Sequence, residues 1–470
     1  MSEQILENST KENKMGVMPV KKLIITMSLP MMISMIVQAL YNIVDSVFVS
    51  WLDTESLAMA ALTLAFPIQS LMIAVGSGTG VGINAMLSTS LGEKRFDKSD
   101  AAANQGILLA FFSFIVFLLI GLFAVDPFFA HQSSDATVIA YGAPYLKIVT
   151  MMSFGLFMQM TLERLLQSTG LTFYSMITQT TGAVINIILD PIMIFGYFGC
   201  PALGTAGAAY ATVIGQCVAA TLALIFNLTK NKEIHISLKS IFTPEFSTIG
   251  RIYVVGLPSI LMMSIGSVMS YFMNKILDAF SSTAVAVYGV YFRLQSFFFM
   301  PVFGMNNGII PVLAYNYGAK KRERIDEALR FGVILAVCIM TVGTVIFEAI
   351  PGKLLDLFNA QDHVKAIGIP AMRIIALHFP LAAVAISLGS VFQAFSKSIY
   401  SLVISVCRQL VVLIPVAWAL AYFTQNVGNV WFSFLVAEGV SCTLSILFFR
   451  IVYKQIVEPI AKTDSKKEEM

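Results

Sequence analysis

Residues 106–125 read GILLAFFSFIVFLLIGLFAV, twenty positions without a charge. A helix rises 1.5 Å per residue, so this run covers the roughly 30 Å of a bilayer's hydrocarbon core. Backbone amides in lipid must find partners within their own segment, so a run of this kind is read as a membrane-spanning helix. The 21 residues of Ala206–Phe226 repeat the pattern. Working outward, similar blocks lie near 23–51, 57–88, 103–125, 138–161, 173–196, 204–227, 248–275, 283–309, 327–350, 366–391, 399–422 and 429–452. The expected fold is therefore all-α, with twelve transmembrane helices. Composition agrees: 57% of the 470 residues are hydrophobic and 12% charged, whereas soluble domains carry about 25% charged residues. The first block is too long for a cleaved signal peptide and is read as a retained span.

Basic residues fix the expected orientation. The termini and the connections after even-numbered spans hold 23 of the 30 Lys and Arg residues. By the positive-inside rule both termini are cytoplasmic and the span count is even. The chain divides into a tail (1–22), a six-helix bundle (23–227), a cytoplasmic linker (228–247), a second bundle (248–453) and a tail (454–470). The bundles read as copies. Gly92-Glu93-Lys94-Arg95 returns as Gly318-Ala319-Lys320-Lys321, Pro144 as Pro370 and Gln167 as Gln393, each displaced by 226 positions. Ser28-Leu29-Pro30 returns as Gly256-Leu257-Pro258, displaced by 228. Two pseudo-symmetric bundles with an even number of spans each are related about an axis along the membrane normal, and duplicated transporters often place the substrate site between such halves, near midplane.

Several chemistries find no support. The sequence has no GxxxxGK[ST] loop for ATP, no HExxH motif and no CxxC pair. The five cysteines are read as small core residues. An enzyme, a cofactor, a structural metal and a nucleic-acid partner are not expected.

Charges within spans decide function, because each costs about 2.5–3.5 kcal/mol to insert. They are Asp45, Glu163, Asp190, Arg293, Arg408 and Glu438. Asn186 and Asp190, in Asn-Ile-Ile-Leu-Asp-Pro, share a helix face four residues apart. Pro191 disfavours helix at Asp190 and withholds the amide that Ile187 would bind. Oxygen ligands of this kind suit a proton or Na⁺. Tyr41 and Asp45 have the same i,i+4 spacing, and Thr212 of the sixth span can add a hydroxyl. Asp45 has no acidic counterpart under displacements of 226–228, nor Asp190 under 224–226, so the ion site belongs to the first half, with transient Na⁺ at Asp45, Asn186 and Asp190 as one option. Glu163 and Arg164 are expected at the cytoplasmic end of the fourth span, snorkelling, forming a salt bridge, or making a cation-attracting gate. Tyr41, Glu163, Arg293 and Glu438 are substrate or gating candidates.

These residues resemble the multidrug and toxic compound extrusion (MATE) family, in the bacterial branch that includes DinF-like and MepA-like exporters. The resemblance rests on Ser28-Leu29-Pro30, Val44 to Val49, Asn186 to Pro191, Phe195-Gly196, Gly204 to Ala209 and the turns at Gly92 and Gly318. It implies two bundles facing each other in a V and efflux of organic cations in exchange for H⁺ or Na⁺. It also implies that Asp45, Asn186 and Asp190, with Thr212, hold the coupling ion. The expected partners are small-molecule drugs and membrane lipid, the expected state a monomer and the expected location a bacterial inner membrane. The alternative is a flippase for lipid-linked oligosaccharides, which calls for more basic residues in its cavity.

Overall fold

The computed structural model describes residues 12–52, 57–133, 135–358 and 361–460. Among them, ten helices are long and apolar enough to cross a membrane. They are Val20–Ser50, Leu57–Gly92, Phe96–Phe123, Thr172–Phe195, Thr205–Thr229, Phe246–Asp278, Ser282–Gly318, Arg322–Ala349, Ser398–Thr424 and Val427–Ile460. The fourth and tenth spans are bent pairs, Ala136–Met151 with Phe154–Ser168 and Asp362–Ala376 with Phe379–Ala394, each broken by 48°. Counted as one span each, they complete twelve. No strand occurs among the described residues.

The duplication shows in local detail as well as in sequence. Lys94 (φ 58°) and Lys320 (φ 57°) turn the chain through the left-handed region at equivalent places, and Gly170 (φ 91°) and Ser396 (φ 57°) do so again 226 residues apart. In both turns the next amide closes back on the preceding helix: Arg95 N donates to Ser90 O, and Lys321 N to Asn316 O, each at 2.9 Å. Short helices Lys14–Val17 and Leu238–Ile241 precede the first and seventh spans.

Two compact units emerge among the described residues, one within 33–260 and the other joining 12–32 to the chain from 261 to 460. The division falls inside the first and seventh spans, not in the 228–247 linker. Glycines explain where the shorter parts of those spans attach. A Cβ on Gly308 would lie 2.7 Å from Met27 O, and one on Gly304 2.6 Å from Met31 O. Backbones can approach this closely only where no side chain intervenes. Ser28 Oγ adds a hydrogen bond to Met305 O at 3.1 Å. In the other unit, Gly82 and Gly78 play the same part against Ile252 O and Gly256 O of the seventh span, at 2.1 and 3.0 Å from the hypothetical Cβ.

The core of the 33–260 unit is built on Phe117, Phe129, Tyr145, Leu146 and Phe157. That of the second is aromatic: Phe347 meets Phe298, Phe379 and Tyr291 at centroid distances of 5.7, 5.2 and 6.4 Å. Of the cysteines only Cys442 is buried; Cys407 is half-buried, while Cys200, Cys217 and Cys338 are exposed.

Candidate functional site

The fifth and sixth spans set the geometry. Small residues let them touch: a Cβ on Gly215 would lie 2.7 Å from Gly182 O, and one on Gly207 2.3 Å from Met193 O. The helix Thr172–Phe195 runs unbroken through Asp190 and Pro191, against the expectation of a disruption there. Packing on the sixth span outweighs the local preference of a residue before proline. The helix ends at Gly196, whose φ of 78° suits glycine.

This contact brings Thr212 to Asn186. The amide orientation of Asn186 follows from its partners. Its oxygen accepts from Thr212 Oγ1 and from the Thr212 backbone N, both at 3.0 Å, and its nitrogen donates to Asp190 Oδ2 at 3.0 Å. Asp190 is wholly buried. Its carboxyl and that of Asp45, from the first span, are hydrogen-bonding partners. Oδ1 of each acid is buried and has no partner among the described residues. Burying a polar atom without a partner is unfavourable by about 1–3 kcal/mol, so two oxygens in this condition mark a place for a proton or a small cation. Tyr41 stands one turn before Asp45, and its phenol is near both acids.

Two further groups complete the site, and the sequence reading missed both. Tyr145 of the fourth span lies near Asp45, Tyr41 and Asp190. Its hydroxyl accepts from Gln69 Nε2 of the second span at 2.9 Å. The available signal was Gln69 itself, an amide within an otherwise apolar span. Five predicted residues thus converge: Tyr41, Asp45, Asn186, Asp190 and Thr212.

The other candidates lie elsewhere. Glu163 and Arg164 neither snorkel nor reach solvent; they are 6% and 9% exposed. Glu163 Oε1 accepts from Gln159 Nε2 at 3.0 Å and Thr178 Oγ1 at 3.1 Å. Arg164 Nη1 donates to Gln167 Oε1 at 2.9 Å, and Gly80 makes room for its stem. Polar neighbours inside the unit hold both charges where the sequence suggested water. Arg293 is exposed on the eighth span and forms no ion pair among the described residues. Glu438, buried, pairs with Arg408 at 3.1 Å in the second unit. Arg408 stands on a π-helical stretch, Cys407–Leu413; such stretches are rare and recur at functional positions. Glu438 lies 226 positions after Thr212, and Arg408 the same distance after Gly182. Each unit therefore keeps its buried polar centre between equivalent spans, but one is acid with amide and hydroxyl, the other an ion pair in which Glu438 Oε2 meets Arg408 while Oε1 has no partner among the described residues. No group of three His, Cys, Asp or Glu side chains that could hold a metal occurs among the described residues.

Comparison with known proteins follows the same division of the chain. The MatE family model matches twice, over residues 30–192 and 258–419. Multidrug export protein MepA of Staphylococcus haemolyticus is 28% identical over 430 residues, 91% of this chain and 92% of that protein. Its counterpart in Staphylococcus aureus is 26% identical over 439 residues, 93% and 94% of the two chains. Among solved structures, an outward-facing multidrug resistance MATE family transporter of the MOP superfamily superposes with a TM-score of 0.89 at 25% identity, covering 96% of this chain and 99% of that one. A MOP superfamily transporter from Pyrococcus furiosus, described as having a binding pocket of reverse polarity that suggests a different function, gives 0.87 at 25% identity, covering 95% and 99%. The twofold match reproduces the internal repeat, and the superpositions extend over nearly the whole chain. With its twelve spans and duplicated halves, the chain belongs to the MatE family and is a multi-pass membrane transporter, not an enzyme.

Proposed function

We propose that the protein exports small organic molecules, mostly cations, in exchange for H⁺ or Na⁺ by alternating access. The observation that carries this reading is the pairing of buried Asp190 with half-buried Asp45, each with one buried, unpartnered oxygen. Two carboxyl groups in hydrogen-bonding contact cannot both stay ionised and empty-handed away from water; a proton between them or a cation on them removes the repulsion. Asn186 and Thr212 orient Asp190, while Tyr41 and Tyr145 offer hydroxyls to whichever species binds. The names of the staphylococcal relatives, multidrug export proteins, support the substrate class.

The cycle runs as follows. The ionised pair captures an extracellular cation, and its neutralisation changes which arrangement of the first and fifth spans is most stable. The membrane potential adds about 2.3 kcal/mol per charge per 100 mV. Driving requires unequal affinity for the ion in the two states. Both termini lie in the cytoplasm of a bacterial cell, and the working unit is a monomer.

The flippase alternative needs free cationic side chains for a pyrophosphate. Arg408 is engaged by Glu438, which disfavours that reading. The deciding experiment is ethidium efflux from vesicles holding the purified protein, with ΔpH or ΔNa⁺ imposed separately. Transport driven by one gradient is the expected result; efflux indifferent to both removes ion coupling.

A further inference from the structure

A cleft of about 360 Å³ opens on the second unit between the ninth, tenth and twelfth spans. That volume falls in the range of small-molecule sites, about 300–1,000 Å³. Its walls are apolar, with Leu329, Val333, Leu388 and Phe449, and its polar end carries Asp326, Arg330 and Tyr453. The order of residues along the ninth span puts the polar end toward the Gly318 turn, the side that the basic-residue bias makes cytoplasmic.

Charge at that end is uneven. Lys321 is engaged by Glu12 and by Gly16 O. Arg324 donates to Met15 O and Met18 O at 3.0 and 2.7 Å. Arg322 pairs with Asp326 at 3.5 Å, and Tyr453 donates to Asp326 at 2.8 Å, so the acid in the cleft is already matched. Arg330 alone of these four basic residues forms no hydrogen bond or ion pair among the described residues. It stands eight residues into its helix, roughly 12 Å from Arg322 at 1.5 Å per residue.

The first unit shows what such a position does when it is covered. There Asp100 and Asn104 occupy the places of Asp326 and Arg330, 226 residues earlier. The linker lies over them: His235 N donates to Asp100 Oδ1 at 2.7 Å, Asn104 Nδ2 to His235 O at 2.9 Å, and Ser237 N to Asn104 Oδ1 at 2.9 Å. The linker also brings apolar cover, since Ile234 and Ile241 are 5% and 6% exposed. Where the first unit has an amide that binds backbone, the second has an unpartnered guanidinium, which calls for an anion.

We propose that this cleft binds an anionic phospholipid of the cytoplasmic leaflet, with its phosphate on Arg330 and an acyl chain along Leu329, Val333 and Phe449. Basic positions between spans at this interface are a general means of holding such headgroups. The site is independent of ion coupling. The test uses the full-length protein in detergent, titrated with dioleoyl-phosphatidylglycerol or dioleoyl-phosphatidylcholine, with bound lipid read by native mass spectrometry. The wild type retains the anionic lipid roughly fivefold better, the effect of about one basic side chain at a membrane surface. Arg330→Gln abolishes that preference, Val333→Trp lowers retention of both lipids by filling the cleft, and Lys397→Gln, at a basic turn outside it, changes nothing. Equal retention of the two lipids, an Arg330→Gln variant that keeps the preference, or an equal loss in Lys397→Gln overturns the proposal.

Discussion

Asp190 is held by one amide and faced by another acid, so removing its charge leaves the fold's contacts nearly intact while removing a ligand of the proposed coupling ion. Asp190→Asn and Asp45→Asn are each expected to reduce drug efflux to the background of empty vesicles, with expression and membrane insertion unchanged. Transport at wild-type rates by either variant excludes that acid from coupling. Thr212→Val keeps shape but removes the hydroxyl that Asn186 binds at 3.0 Å. A hydrogen bond of this kind contributes about 1 kcal/mol, so the driving-ion concentration for half-maximal transport should rise roughly fivefold. An unchanged concentration dependence separates Thr212 from the site. Both acids were legible in the sequence because a charge in a span demands an explanation. Tyr145 and Gln69 were not, because a tyrosine and a glutamine in apolar segments are ordinary until their neighbours are known.

At the scale of elements, glycine contacts hold spans together. Gly215→Leu forces a side chain onto Gly182 O, 2.7 Å from where its Cβ would stand. Overpacking of this kind costs about 1–3 kcal/mol, and it separates Thr212 from Asn186, so thermal stability and efflux should fall together. Stability equal to the wild type contradicts the close approach. The Arg408–Glu438 pair gives a second test. Arg408→Met strands a buried carboxylate and should destabilise by about 3 kcal/mol, whereas joint replacement with Glu438→Met should recover most of the loss. Additive losses in the double variant deny the pairing. Sequence located the spans within a few residues but not the 48° breaks of the fourth and tenth. Their flanking segments are apolar on both sides, so hydropathy reads straight through them.

For the molecule as a whole, orientation is the open quantity that a simple reagent can read. Cys200 is an exposed free thiol in the connection between the fifth and sixth spans, which the basic-residue bias puts outside the cell. A membrane-impermeant maleimide should label intact cells, and Cys200→Ser should remove the signal. Labelling seen only after permeabilisation reverses the topology.

The sequence by itself determined the number of spans, the duplication and the acids that do not belong in lipid, because each follows from a local rule: helix rise against bilayer thickness, a constant displacement, and the expense of a charge in hydrocarbon. Tertiary structure decided the rest. Only packing shows that Glu163 is satisfied by Gln159 and Thr178, that Arg408 already occupies Glu438, and that the first span is shared between two units. Those outcomes depend on which helices approach closely enough to exchange hydrogen bonds, and no pattern along one helix specifies its neighbour's rotation.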